Sequence, residues 1–141
     1  VGYNYRLNNL NAAVGLAQFE KFNKIINKKK KINSFYQKLT TNIKGLKIMK
    51  TPDYAINNYW LNIIILNQEY KYSIKTLIKK FSSKNIEVRP VWRLNHKQKM
   101  FKKFEKYKIS NSLNLVNNSL CVPSSTNLTK KNIQNVVEII K

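Results

Sequence analysis

Gly2-Tyr3-Asn4-Tyr5-Arg6-Leu7-Asn8-Asn9-Leu10-Asn11-Ala12-Ala13 joins an aromatic, basic loop directly to the start of a long helix. Asn8 or Asn9 can offer a side-chain oxygen to the first unpaired amides of that helix. Phe22, Ile25, Ile32, Tyr36 and Leu39 then recur on one stripe, which predicts a single helix over 10–39 with Lys28 to Lys31 mostly on its solvated side. Ala12, Ala13, Gly15 and Ala17 keep the first turns small, so another backbone can approach closely. Helix propensity explains the alanines equally well, but Gly15 is costly there without a packing reason.

Gly45 breaks the pattern, and residues 46–49 and 59–66 follow as strands separated by a loop containing Thr51-Pro52-Asp53. The second strand is apolar at nearly every position, which places it centrally with both faces covered. Ser73 caps a helix to about residue 83, on which Ile74, Leu77, Ile78 and Phe81 share a face. Residues 86–89 read as a third strand ended by Pro90, which lacks an N–H for the ladder. A loop with Trp92 and His96, a short amphipathic segment near 100–104 and a helix over 110–118 come next. Residues 120–122 form a short strand before Pro123, and Thr129 caps a last helix carrying Ile133, Val136, Val137 and Ile140. The sum is one α+β domain: a small, mainly antiparallel sheet covered by helices, with a long leading helix.

With 141 residues the chain can bury a respectable core. The longest apolar run, 63–66, is far short of the roughly 20 residues that cross a bilayer, and no secretion signal opens the sequence, so a cytoplasmic location is expected. Cys121 is the only cysteine; with Leu120 and Val122 beside it, it reads as a small core residue. No cluster of Cys, His and carboxylates supports a metal site.

The net charge of +21, from 27 Lys and Arg against 6 Asp and Glu, ordinarily points to a polyanion. Of those 27, however, 24 are Lys, alongside 21 Asn and 16 Ile. An A/T-rich genome inflates this trio, and three arginines are a poor supply for phosphate or guanine forks. No specific nucleic-acid partner is expected, since the aromatics fall mostly on helix stripes and in strands rather than interleaved with a basic face. A small basic nucleic-acid-binding domain is nonetheless one rival function; a non-catalytic oligomerisation module or gene remnant is another.

The opening run closely resembles the G-[FY]-N-x-R-[ML]-x-x-[LIM]-x-A-A segment of the DegT-type sugar aminotransferases, which use pyridoxal phosphate to aminate keto groups of nucleotide-linked sugars. Asn58-Tyr59-Trp60-Leu61, Arg89-Pro90-Val91-Trp92 with His96 downstream, and Val122-Pro123-Ser124-Ser125 fall in the family's order and at about its spacing. The pattern most resembles the legionaminic acid and bacillosamine-type branch, with perosamine synthases close by. The resemblance implies the C-terminal small domain of a fold-type I aminotransferase, with residues 1–9 as a loop entering a neighbouring subunit's site and 10–141 as the domain itself.

It also implies roles for single residues. The family's Asn and Arg, here Asn4 and Arg6, approach the cofactor phosphate and the substrate's charged groups; by residue type alone they equally suit a turn and a surface charge. His96 stands where the family has a His near the sugar cleft, and Arg89 and Trp92 suit a diphosphate and a ring, or else strand-end packing beside Pro90. The lysine that bonds the cofactor and the carboxylate that pairs with its ring nitrogen belong to the family's larger domain. With only Gly2, Gly15 and Gly45, the Gly-Glu-Gly-Gly-like stretch that follows that lysine is missing, so no catalytic residue is expected here and the chain alone should be inactive. The implied enzyme is a homodimer turning a nucleotide-linked 4-keto-6-deoxy sugar into its 4-amino form, with glutamate as donor.

Overall fold

The computed structural model describes residues 6–141. Among the described residues there are five α-helices: α1 (Asn9–Glu20), α2 (Phe22–Thr40), α3 (Ile74–Ser82), α4 (Ser110–Asn118) and α5 (Lys130–Ile140). Four strands accompany them: β1 (Leu46–Ile48), β2 (Asn62–Leu66), β3 (Arg89–Pro90) and β4 (Ser119–Val122). All pairings are antiparallel, in the order β1-β2-β4-β3. Registers Leu46↔Leu66, Ile64↔Leu120 and Asn62↔Val122 put these residues on one face, because residues directly opposite in an antiparallel pair point the same way.

That face carries the core. Ile32 and Tyr36 of α2, Leu77 and Phe81 of α3, and Ile133, Val136, Val137 and Ile140 of α5 close over it. Full burial of each large apolar side chain contributes about 1.5–3 kcal/mol. Tyr36 is wholly buried, and its hydroxyl donates to the carbonyl of Pro123 at 3.0 Å; burial pushes its phenol pKa far up. Tyr70 donates to the carbonyl of Ile140, and its pKa is pushed up to about 12 by burial first and by Tyr72 second.

Four expectations change. The single helix over 10–39 is two helices divided at Lys21, whose N–H donates to Gln18 O at 3.1 Å, a tight turn, before Ile25 N donates to Lys21 O. Only α2 reaches the core: α1 has no buried residue. The central strand begins at Asn62 rather than 59, because Asn57 and Asn58 accept the amides of Tyr59 and Trp60, and Tyr59 has φ 53. The third strand shrinks to Arg89–Pro90; Ile86 N is spent on Phe81 O at the end of α3. Proline fits there because β3 is an edge strand. The second face of β2 is also less covered than expected, with Ile63 and Ile65 half-buried.

Caps follow the sequence closely. Asn8 accepts from Asn11 N, Ser73 from Thr76 N, and Thr129 forms a reciprocal capping box with Asn132. No described helix is long and apolar enough to cross a membrane.

The surface of α1 is unusual. Leu10, Val14, Leu16 and Phe19 are all exposed, as are Leu7 before it and Phe22 after it. Exposed apolar patches of more than a few hundred Å² mark contact surfaces. Added salt screens the repulsion of the +21 charge, so the chain is expected to self-associate more as ionic strength rises. Sedimentation across a salt series checks this; a strictly monomeric chain at high salt, with no dye-accessible apolar surface, is the contrary result.

Candidate functional site

Two neighbouring clefts lie at the β3 edge of the sheet and the loop beyond it. The first, of about 400 Å³, is lined by Trp60, Glu87, Arg89, Pro90, Trp92, Cys121 and Ser124, among others. The second, of about 520 Å³, is lined by Trp92, Arg93, His96, Phe101, Phe104 and Tyr107, among others. Trp92 is common to both. The structure therefore brings Arg89, Trp92 and His96 to one continuous region, although they come from a strand, a loop and a single 3-10 turn (Asn95–Lys97).

Each wall has a local origin. Arg89 pairs with Cys121 across the ladder, so the two share a face. Its guanidinium donates to Glu87 Oε1 through Nε at 2.8 Å and Nη2 at 2.7 Å. Both side chains are exposed, so the pair adds little stability, but it fixes the direction of the fork and leaves further donors for a ligand. Trp60 and Trp92 meet at a centroid distance of 5.7 Å and an interplanar angle of 38°, while remaining 62% and 59% exposed. A ring pair held in the open offers an aromatic surface without core packing. His96 is half-buried. Burial raises the Cys121 pKa, so its thiol stays protonated and serves as packing.

Behind the first cleft runs a buried polar seam. Asn33 Nδ2 of α2 donates to Asn62 Oδ1 at 2.9 Å, Asn62 N and Nδ2 donate to Ser124 Oγ at 2.8 and 2.9 Å, and Ser124 Oγ donates to Val122 O at 2.8 Å. Gln37 Nε2 supports Asn33 Oδ1 at 2.7 Å. Such a network fixes geometry because every member is satisfied.

Arg6 is exposed, two residues before the Asn8 cap, and is not among the residues lining either cleft. Asn4 lies outside the described residues. The sequence singles out Trp60 and Ser124 only as members of family motifs and places Lys29 in a run mostly on a solvated face. Most of the aromatics are expected in stripes and strands; Phe101, Phe104 and Tyr107 are instead exposed, with Lys103 over Phe104 and Lys108 over Tyr107.

An all-antiparallel sheet with helices over its packed face and a cleft at its edge defines the small-domain architecture of fold-type I aminotransferases. The chain belongs to the DegT/DnrJ/EryC1/StrS aminotransferase family, whose model matches residues 1–141. It is 30% identical over 146 residues to EpsN of Bacillus subtilis (strain 168), covering 99% of this chain and 37% of that protein. It is likewise 30% identical over 144 residues to the GDP-perosamine synthase of Vibrio cholerae, covering 100% and 38%. Among solved structures, the E. coli GDP-4-keto-6-deoxy-D-mannose-3-dehydratase with bound hydrated PLP matches with a TM-score of 0.86 at 21% identity, over 99% of this chain and 37% of that one. The chain thus spans somewhat over a third of the length of these relatives.

Pyridoxal phosphate is the family's cofactor. Arg6, of the type that suits phosphate oxygens, lines neither described cleft. The lining of the Trp60–Trp92 cleft contains no lysine, so no anchoring amine is supplied there.

Proposed function

We propose that this chain forms the small domain of a nucleotide-sugar aminotransferase that converts a nucleotide-linked 4-keto-6-deoxy sugar to its 4-amino sugar, with glutamate as amino donor. The observation that carries this reading is the cleft itself, in which an oriented guanidinium, Arg89, stands beside an open tryptophan pair and leads to His96. Arg89 binds a diphosphate oxygen, Trp92 stacks on a flat ring, and His96 hydrogen-bonds a sugar hydroxyl. Asn4 and Arg6 hold the cofactor phosphate or the substrate's negative charge. When bound, the cofactor supplies the electron sink that carries nitrogen from donor to acceptor.

In this reading the enzyme is a homodimer, residues 1–9 enter the neighbouring subunit's site, and the exposed apolar surface of α1 is covered in the assembly. The amine that anchors the cofactor comes from outside this chain. The 141-residue chain mixed with pyridoxal phosphate, glutamate and a UDP- or GDP-linked 4-keto-6-deoxy sugar is therefore expected to show no turnover above buffer, while a family-length protein carrying it turns the sugar over. Product formation followed by mass spectrometry tests both halves. Turnover by the chain alone, or none by the longer protein with either nucleotide, overturns the reading.

A further inference from the structure

We propose that Lys29 is a positioning residue for the Trp60–Trp92 cleft: its ammonium ties together the chain segments at Trp60 and Ser124 and so sets where the tryptophan pair stands. Lys29 Nζ donates to Trp60 O and to Ser124 O, each at 2.9 Å. Both acceptors belong to cleft-lining residues, one on the approach to β2 and the other just past β4. Lys28, Lys30 and Lys31 are exposed, whereas Lys29 is half-buried. The four adjacent lysines are thus not equivalent, and a solvated charge run does not describe this one.

The need for such a tie follows from the cleft's construction. The Trp60 side chain is 62% exposed, so the core does not hold it. Its place is set by its backbone, which is fixed on one side by the Asn58 side chain accepting Trp60 N at 2.9 Å and on the other by Lys29. Charge-assisted hydrogen bonds to carbonyls are the stronger kind, and one ammonium with three donors bridges two acceptors, which a hydroxyl with a single donor does not. Burial also lowers the Lys29 pKa, in keeping with an ammonium drawn partly out of water. The tie adds to the amide seam beneath it, which holds Asn62 and Ser124 but not Trp60.

Trp60 and Trp92 are the only two tryptophans in the chain, so their exciton couplet in the far-ultraviolet circular dichroism reports their mutual geometry directly. The Trp92→Phe chain defines the spectrum without a couplet. Lys29→Met is expected to lose most of the couplet and Lys29→Arg to retain it, with helix content unchanged in both. A Lys29→Met chain that keeps the wild-type couplet overturns the proposal. If Lys29→Met fails to fold, wild-type protein decides by NMR: a slowly exchanging lysine Nζ–H signal that is missing in Lys29→Arg supports the tie, and the lack of any protected signal refutes it. Only the consequence for catalysis rests on the function proposed above. In a family-length protein Lys29→Met is then expected to raise KM for the sugar nucleotide with kcat nearly unchanged. A lost couplet with unaltered KM leaves the positioning role intact and counts against the cleft as the sugar site.

Discussion

Gly45→Ala is expected to cost about 3 kcal/mol or more of stability, far more than the same change at Gly15. Gly45 has φ +76, and a Cβ there would stand 2.3 Å from the Tyr70 backbone nitrogen, 2.7 Å from Asn67 Oδ1 and 2.7 Å from the Glu69 carbonyl carbon. A left-handed backbone costs a residue with a side chain roughly 1–2 kcal/mol, and overpacking against backbone adds about 1–3 more. Backbone cannot rotate away as a side chain can. The clash falls where Asn67 N donates to Gly45 O at 2.9 Å, one step outside the Leu46↔Leu66 pair that opens the β1–β2 ladder. Gly15→Ala is the matching control: nothing lies within 4 Å of its added Cβ, and the site is helical, so the change should be neutral or stabilising by up to about 1 kcal/mol. Urea melts of both variants decide the point. Equal midpoints for Gly45→Ala and wild type would show that the turn relaxes in a way this geometry does not permit.

In the homodimer proposed above, Arg6→Ala is expected to weaken cofactor or substrate binding roughly ten- to a hundredfold. The estimate follows from losing a charge-assisted hydrogen bond, about 1.5–3 kcal/mol. Position motivates the prediction: Arg6 stands two residues before the cap of α1, so a short segment anchored to a helix can project into a neighbour without much disorder. Mixed dimers separate action across the boundary from action within one subunit. Pairing an Arg6→Ala subunit with one lacking the cofactor-anchoring lysine gives one site with both defects and one with neither, so roughly half the activity returns in a two-fold dimer. Heterodimers as inactive as either parent would assign Arg6 to its own subunit.

How far the sequence reveals this fold depends on whether the deciding interaction is local. Helices α3 and α5 were legible because Ser73 and Thr129 cap them three residues from their partners and the apolar period is plain. The break at Lys21 was not, since neither Gly nor Pro marks it. Residues 59–61 carry strand-forming side chains, yet the two preceding asparagines capture the backbone first. Arg89, Trp92 and His96 could be singled out by residue type and order. Lys29 could not, because a lysine-rich composition hides one partly buried ammonium beside three identical neighbours. Its acceptors lie 31 and 95 residues away, beyond any local pattern.

The seam of Asn33, Asn62, Ser124 and Gln37 contains only amides and a hydroxyl. None of these groups gains or loses a proton as a solution is acidified. The ion pairs Lys44–Glu69, Glu87–Arg89 and Glu138–Lys141, in contrast, are all on the surface, where protonating a carboxylate forfeits little. Acid therefore has few specific bonds to break between α2 and the sheet, and low pH acts on this fold chiefly by leaving its excess of positive charge less opposed. Counter-anions should then substitute for the missing carboxylates, so that sulfate restores in acid much of the order that chloride-poor buffer allows to slip.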